Sequence, residues 1–399
     1  MGAADQRFFD TVHDRRNTGA IKYDAQPPTA VEGDVIPMWV ADMDFPSPPA
    51  VEEALLRRVR HGIYGYSDAG SDYDALVVDW YRRRLNWTVR PEWILKAPGV
   101  MPAIAAAIQA LSEPGDGVLI CQPVYYPFAQ IIPANHRRLV VSQLRLTEGR
   151  YRIDFADLEA KLQSGVRIFL LCSPHNPVGR VWTRDELLEI GRLCCKCDVI
   201  LLSDEIHSDF VLSEHPHIPV ASLSEELAAR TVTCTSPTKT FNLAGLQTAN
   251  IIVPNGTLRK KMARQGYAAG LGAQNALSLT AAQAAYRDGE PWLEALLDYL
   301  RGGYDLLREA FPSDGPVSLI EPDGTYLAWL DCRKLGLPPK ALANTLLKKT
   351  GVWLHNGATF GAGGEGFVRM NIACPRSVLS EAVARIRRAV SELTDPSGL

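Results

Sequence analysis

The 399-residue sequence predicts an α/β fold with a mainly parallel central sheet, followed by a smaller α+β domain. Three observations predict it. Between residues 117 and 253, short runs of β-branched and apolar residues alternate with stretches of helical periodicity, the pattern of parallel strands joined by crossover helices. Glu290-Pro291 ends that alternation and opens one long amphipathic helix. Beyond it, strand signals are crowded by turn residues. The boundaries that follow are an N-terminal segment over 1–46, a large domain over 47–290 and a small domain over 291–399.

The N-terminal segment holds one short helix near Arg7–Asp14 and then runs extended through VIPMWVADMDF. That stretch is too apolar for a tail. It is expected to pack on the small domain, across a pocket or a subunit interface. Ser47-Pro48-Pro49 reads as a capping residue followed by proline in the first turn, opening a helix that runs to about Arg60 and stops at Gly62. After the aromatic turn Tyr64-Gly65-Tyr66, Tyr73, Leu76, Val77 and Trp80 mark the apolar face of a second helix. Gly99-Val100-Met101 opens a third, with Ile104, Ile108 and Leu111 on one face. Backbone N–H groups at such a start can hold an anion, although a plain glycine turn reads the same way.

The strands are expected at Gly117–Cys121, Leu139–Leu144, Arg167–Cys172, Val199–Ser203, Thr231–Thr235 and Ala249–Val253. Thr183 and Glu186 form a capping box for a helix over Arg184–Cys195. The long helix carries Leu293, Leu296, Leu297, Leu300, Tyr304 and Leu307 on one face. The small domain has a strand over Thr325–Leu330, a helix near Lys340–Lys349 and a turn-rich strand region over 352–373. Its last helix keeps Leu379, Val383, Ile386, Val390 and Leu393 in register.

Composition bounds the function. Apolar residues make up 46% and charged residues 22%, as in ordinary soluble globular proteins. A net charge of −3 offers no field for nucleic acid or anionic lipid. No apolar run approaches the ~20 residues of a membrane span, and the start is too polar for a secretory signal. Cytoplasm is the expectation. Of eight cysteines, Cys121, Cys172, Cys234 and Cys332 sit in or beside apolar runs and read as core thiols in a reducing compartment. The cluster LCCKC lacks a second Cys/His pair at zinc spacing, and no metal is expected.

Chemistry concentrates at strand ends, where open α/β sheets bind ligands. RIFLLC is followed by Asn176, VILLS by Asp204 and His207, and TVTCT by Ser236, Thr238 and Lys239. If these strands are neighbours, an amide, a carboxylate, an imidazole and an amine converge. That set suits pyridoxal phosphate. Lys239 would hold the aldehyde as a Schiff base, and Asp204 would pair with the pyridine nitrogen. Asn176 and His207 could bond the phenolic oxygen. Ser236, Thr238 and the amides of Gly99, Val100 and Met101 could hold the phosphate. Tyr125 or Tyr126 would stack on the ring. Each residue also has a plainer reading: a surface lysine, a helix-capping aspartate, a turn asparagine, a surface histidine, a core tyrosine. Arg369, inside the strand-like GFVRMNIACP, could clamp a carboxylate bidentately or simply face solvent. The loop 266–276 and the segment 353–366 are expected to line the entrance.

With these motifs in place, the chain resembles fold-type I pyridoxal-phosphate enzymes of the class I/II aminotransferase group, and more narrowly the MalY/PatB type of cystathionine β-lyase, or C–S lyase. PMWVADMDFPSPP, YGY, PGVMPAI, QPVYYPF, CSPHNPVGRVW, SDEIHSDF, PTKTFNLAGLQ and GFVRMNIACP carry the resemblance over nearly the whole length. It implies a three-layer fold. It also implies Lys239 as the cofactor lysine and general base, Asp204 as the pyridinium partner, Asn176 on the phenolic oxygen, Tyr125 stacked on the ring and Arg369 on the substrate carboxylate. Tyr66 matches a tyrosine that a partner subunit offers to the phosphate, which implies a homodimer with its active site at the interface. His207 stands where the aminotransferases usually carry tyrosine, and Gln247 where they carry a phosphate-binding arginine; both suit the lyase branch. Ser236-Pro237-Thr238 departs from the branch's more common Ala-Pro-Ser but keeps a hydroxyl. The implied reaction is α,β-elimination on a cysteine S-conjugate, cystathionine-like or bulkier, giving thiol, pyruvate and ammonia. The rival readings are transamination on the same scaffold, a specialised lyase or deaminase of secondary metabolism, and a non-catalytic partner of a regulator.

Overall fold

Local signals build most of the elements of the computed structural model, which describes residues 6–394. The outermost residues of the N-terminal segment and of the small domain, 1–5 and 395–399, lie outside the described residues. Thr183 accepts from the Glu186 N–H while the Glu186 carboxylate accepts from the Thr183 N–H, and the helix they open runs Arg184–Lys196. The long helix is Glu290–Ala310, and every apolar residue expected on its inner face is buried. The last helix is Arg376–Thr394. No helix among the described residues is long and apolar enough to cross a membrane.

In chain order the strands are β1 (Ile36–Pro37), β2 (Ile94–Ala97), β3 (Gly117–Gln122), β4 (Arg138–Gln143), β5 (Arg145–Thr147), β6 (Arg150–Arg152), β7 (Val166–Cys172) and β8 (Ile200–Asp204). They continue as β9 (Thr231–Thr235), β10 (Ala249–Ile252), β11 (Ser318–Ile320), β12 (Leu327–Asp331), β13 (Val352–Trp353), β14 (His355–Asn356) and β15 (Phe367–Asn371). Seven form the central sheet in the order β2-β10-β9-β8-β7-β3-β4. All pairs are parallel except the two made by β10. The strands β3, β8 and β9 are buried throughout, as a sheet covered on both faces requires. A second, four-stranded antiparallel sheet, β11-β12-β15-β14, lies in the C-terminal part.

Several local expectations need correction. The first helix is only Gln6–Asp10, and a separate turn of helix follows at Ile21–Asp24. The helix over Pro49–His61 does stop at Gly62, in the left-handed conformation, but Pro48 occupies its cap position. The Ser47 hydroxyl instead donates to the Asn242 carbonyl at 3.2 Å. Four strand pairings fall outside the expected set: β1 with β13, β2 with β10, β11 with β12, and the hairpin β5–β6.

The extended stretch at 36–46 ties the two ends of the chain together. Ile36 and Pro37 pair with Val352 and Trp353. The Asn371 side chain donates to the carbonyls of Val40 and Asp42, each at 2.6 Å. Close to the site, Arg180 is buried and donates from Nε to Asp323 at 2.8 Å and from Nη2 to Glu186 at 2.8 Å. Asp323 in turn precedes Gly324, where a Cβ would meet the Phe210 carbonyl oxygen at 2.3 Å, so only glycine fits.

Candidate active site

The strands that deliver polar residues are consecutive in the sheet. Cys172 is in register with Asp204, and Asp204 with Cys234. The residues just beyond β7, β8 and β9 therefore come out side by side. Asn176, Asp204, His207 and Lys239 line one cavity of about 290 Å³, together with Val100, Met101, Tyr125 and Arg369.

Lys239 sits in a single helical turn, Pro237–Thr240. Its Nζ donates to the Ala41 carbonyl at 2.5 Å, and the Tyr326 hydroxyl donates to the same oxygen at 3.1 Å. Burial lowers the Lys239 pKa to about 8, with Arg369 acting in the same direction and Asp42 and Asp204 against it. The Asp204 carboxyl is buried and accepts from the Ile206 N–H at 3.2 Å. Burial pushes its pKa up to about 7, with the neighbouring Glu205 adding to the rise while the Ile206 N–H and Lys239 oppose it. Burial likewise lowers His207 to about 3, so its ring is neutral, and Nδ1 is buried with no partner.

Arg369, on β15, donates to Asn176 Oδ1 at 2.9 Å and to the Trp39 carbonyl at 2.8 Å. Its guanidinium carbon lies 4.9 Å from the centre of the Phe360 ring. Burial lowers its pKa to about 10, so it stays charged at neutral pH. Its Nε is buried and unpartnered.

The donor set fits pyridoxal phosphate on three observations. A buried carboxyl without a cationic hydrogen-bond partner suits a protonated ring nitrogen. An unpartnered imidazole nitrogen and an asparagine amide stand beside it. The helix Val100–Leu111 starts at the cavity wall, where its first N–H groups lack intrahelical acceptors.

Four expected residues are not brought to the cavity wall, Gly99, Ser236, Thr238 and Tyr66. The Ser236 hydroxyl donates to the Thr248 carbonyl at 2.5 Å and receives the Thr238 hydroxyl at 2.7 Å, so these two hydroxyls satisfy each other. Tyr66 stands fully exposed on the protomer surface. The loop 266–276 contributes nothing to the lining, and its Gln274 bridges to Ser67. Of the segment 353–366, only His355 lines the cavity. Both tyrosines of QPVYYPF line it. The residues missed are Ile21, Cys172 and Ile206, along with the individual wall positions Trp39, Val40 and Ala41 of the N-terminal strap.

Comparison with known proteins is consistent with this arrangement. The family model for aminotransferase class I and II matches residues 34–386. Cystathionine β-lyase PatB of Bacillus subtilis is 43% identical over 96% of this chain and 100% of its own length. Protein MalY of Escherichia coli is 36% identical over 96% and 98%. Among solved structures, cystalysin from Treponema denticola, which contains a pyridoxal 5'-phosphate cofactor, superposes with a TM-score of 0.93. It is 35% identical, covering 97% of this chain and 99% of that one.

Proposed function

The chain belongs to the class I and II aminotransferase family, and from that premise we propose that it is a pyridoxal-phosphate-dependent carbon–sulfur lyase of the cystathionine β-lyase type. The observation that carries the reading is the convergence of Lys239, Asp204, Asn176 and Arg369 on one cavity, from three adjacent strand ends and the second sheet. Lys239 is the cofactor's lysine. Asp204 faces its ring nitrogen, Asn176 and His207 its phenolic oxygen, and Tyr125 its ring plane. The Val100 and Met101 amides, at the start of the helix Val100–Leu111, hold its phosphate. Tyr66 of a second copy reaches the same phosphate, in a homodimer. Eight free cysteines suit a reducing cytoplasmic setting.

When bound, pyridoxal phosphate supplies an electron sink conjugated to the substrate's α-carbon. Arg369 fixes the substrate carboxylate by a forked, charge-assisted contact. Lys239 Nζ takes the α-proton as general base, at a pKa that burial has brought near neutrality. The Cβ–S bond breaks and the thiolate leaves. With one water, the remaining aminoacrylate becomes pyruvate and ammonium, so that conjugate plus water balances thiol, pyruvate and ammonium.

The test is a panel of cysteine S-conjugates scored separately for thiol, pyruvate and keto-acid exchange. Lys239→Ala is expected to abolish thiol and pyruvate release while the circular-dichroism spectrum stays that of the wild type. Undiminished thiol release by that variant would remove Lys239 from the mechanism. Keto-acid-dependent amino transfer faster than pyruvate formation would replace the lyase by an aminotransferase.

A further inference from the structure

The cavity has two ends of different chemistry. Its charged lining residues are Asp204, Lys239 and Arg369, the first taken by the cofactor, the second by the cofactor and the α-proton, and the third by the substrate's α-carboxylate. Its outer rim is Ile21, Trp39, Tyr126 and His355. Ile21 is 70% exposed and yet lines the cavity, which puts it at the mouth. The Trp39 ring stacks on Trp353, with centroids 4.5 Å apart and planes at 18°. The His355 ring packs against Tyr126 at 5.4 Å and Phe360 at 4.8 Å. Burial holds His355 neutral, at about 3.

The rim is also held in place. Lys22, next to Ile21, is 1% exposed and pairs with Asp44 at 2.8 Å, and its carbonyl accepts from Trp39 Nε1 at 3.3 Å. Arg15 pairs with Asp42 at 2.8 Å and with Asp44 at 2.7 Å. Arg15, Lys22, Asp42 and Asp44 are thus bonded to one another, and none of them lines the cavity.

We propose that this rim is the subsite for the sulfur substituent, and that it selects an uncharged aromatic group, S-benzyl- or S-arylcysteine, over cystathionine. The proposal rests on the lyase reading and narrows its substrate class. An arene entering the rim meets apolar and π surfaces that are already ordered. The leaving half of cystathionine carries its own ammonium and carboxylate. Both would lose hydration against a rim whose own four residues carry no charge, since Arg369, 3.5 Å from His355 Nδ1, is taken by the α-carboxylate.

Two measurements on the purified holoenzyme test it. The first compares kcat/KM for S-benzylcysteine, S-methylcysteine and cystathionine. The second compares Kd, by tryptophan fluorescence, for two analogues in which a methylene replaces sulfur: 2-amino-5-phenylpentanoate and 2,7-diaminosuberate. The aromatic compound is expected to lead by at least tenfold in each. Ile21→Lys, at an exposed position, is expected to shrink the Kd ratio at least threefold, and Trp39→Leu to do the same. A preference for cystathionine and its analogue overturns the proposal, as does a ratio that neither substitution moves. If no conjugate releases pyruvate, S-methylcysteine included, the lyase reading falls, and the Kd comparison still decides what the rim selects.

Discussion

At the scale of single residues, burial is the main lever on this site. Burial lowers Lys239 from 10.5 to about 8, so the fraction able to accept a proton grows as pH rises through 8. The elimination rate is expected to rise about tenfold between pH 7 and 9 and then level off, measured as pyruvate release under saturating substrate. A flat profile over that range would assign the rate-limiting proton transfer elsewhere. Asp204 shifts the other way, from 3.8 to about 7. Between those values the folded protein keeps a proton that the unfolded chain releases. The stability this group contributes is therefore complete below 3.8 and is lost as pH rises through 7. Asp204→Asn should raise the melting temperature of the cofactor-free protein by a few degrees at pH 8, and by much less at pH 5, in calorimetry. An equal gain at both values would contradict the assignment.

Lys239, Asp204 and Asn176 were legible in the sequence because each follows a buried strand, and strand ends are where such sheets bind. Ile21 was not, and Trp39 and His355 were legible only as members of stretches expected across a pocket or at its entrance. They meet only because Ile36–Pro37 pairs with Val352–Trp353, more than three hundred residues away, and no local period encodes that.

At the scale of elements, legibility followed self-sufficiency. The helix Glu290–Ala310 carries its own period, start and buried face, and its extent could be read directly. The strand β2 is four residues with Lys96 among them, and it becomes a strand only through its register with β10, Ala97 against Ala249. The hairpin β5–β6 is arginine-rich and shorter still, three residues a strand. One element-level contact is a clear target. Asp323 receives Arg180 and Arg150, each at 2.8 Å, and accepts from the Val181 N–H at 3.2 Å. It links the loop that carries Asn176 to the approach of β12. Asp323→Ala leaves the Arg180 guanidinium buried with only Glu186 as counter-charge. The expected loss is about 3 kcal/mol in urea unfolding. A loss below about 1 kcal/mol would mean that the link is ornamental.

At the scale of the whole molecule, one surface is incompletely accounted for by a single copy. Leu56, Val59, Ile63, Tyr64 and Tyr66 are exposed along one short stretch, with Tyr66 fully so. Exposed apolar side chains grouped in this way mark an interaction surface, and a second copy of this chain is the occupant the site reading requires. Ile63→Asp should shift sedimentation from a dimer toward a monomer, and Tyr66→Ala should weaken retention of pyridoxal phosphate on dialysis without changing the mass. A mass unaffected by Ile63→Asp would move the interface elsewhere.

The strap over residues 36–46 bears on how the protein is made. It lends the Ala41 carbonyl to Lys239 and the Trp39 carbonyl to Arg369, and it is itself held by Asn371 and by Val352–Trp353. A ribosome exports residue 41 long before residue 369. During synthesis the central sheet can pair strand by strand, yet the pocket has no finished wall until almost the entire polypeptide has emerged. Translation intermediates of this protein are thus catalytically blank, since a chain stalled before β15 has neither Arg369 nor the Asn371 contacts that hold the strap.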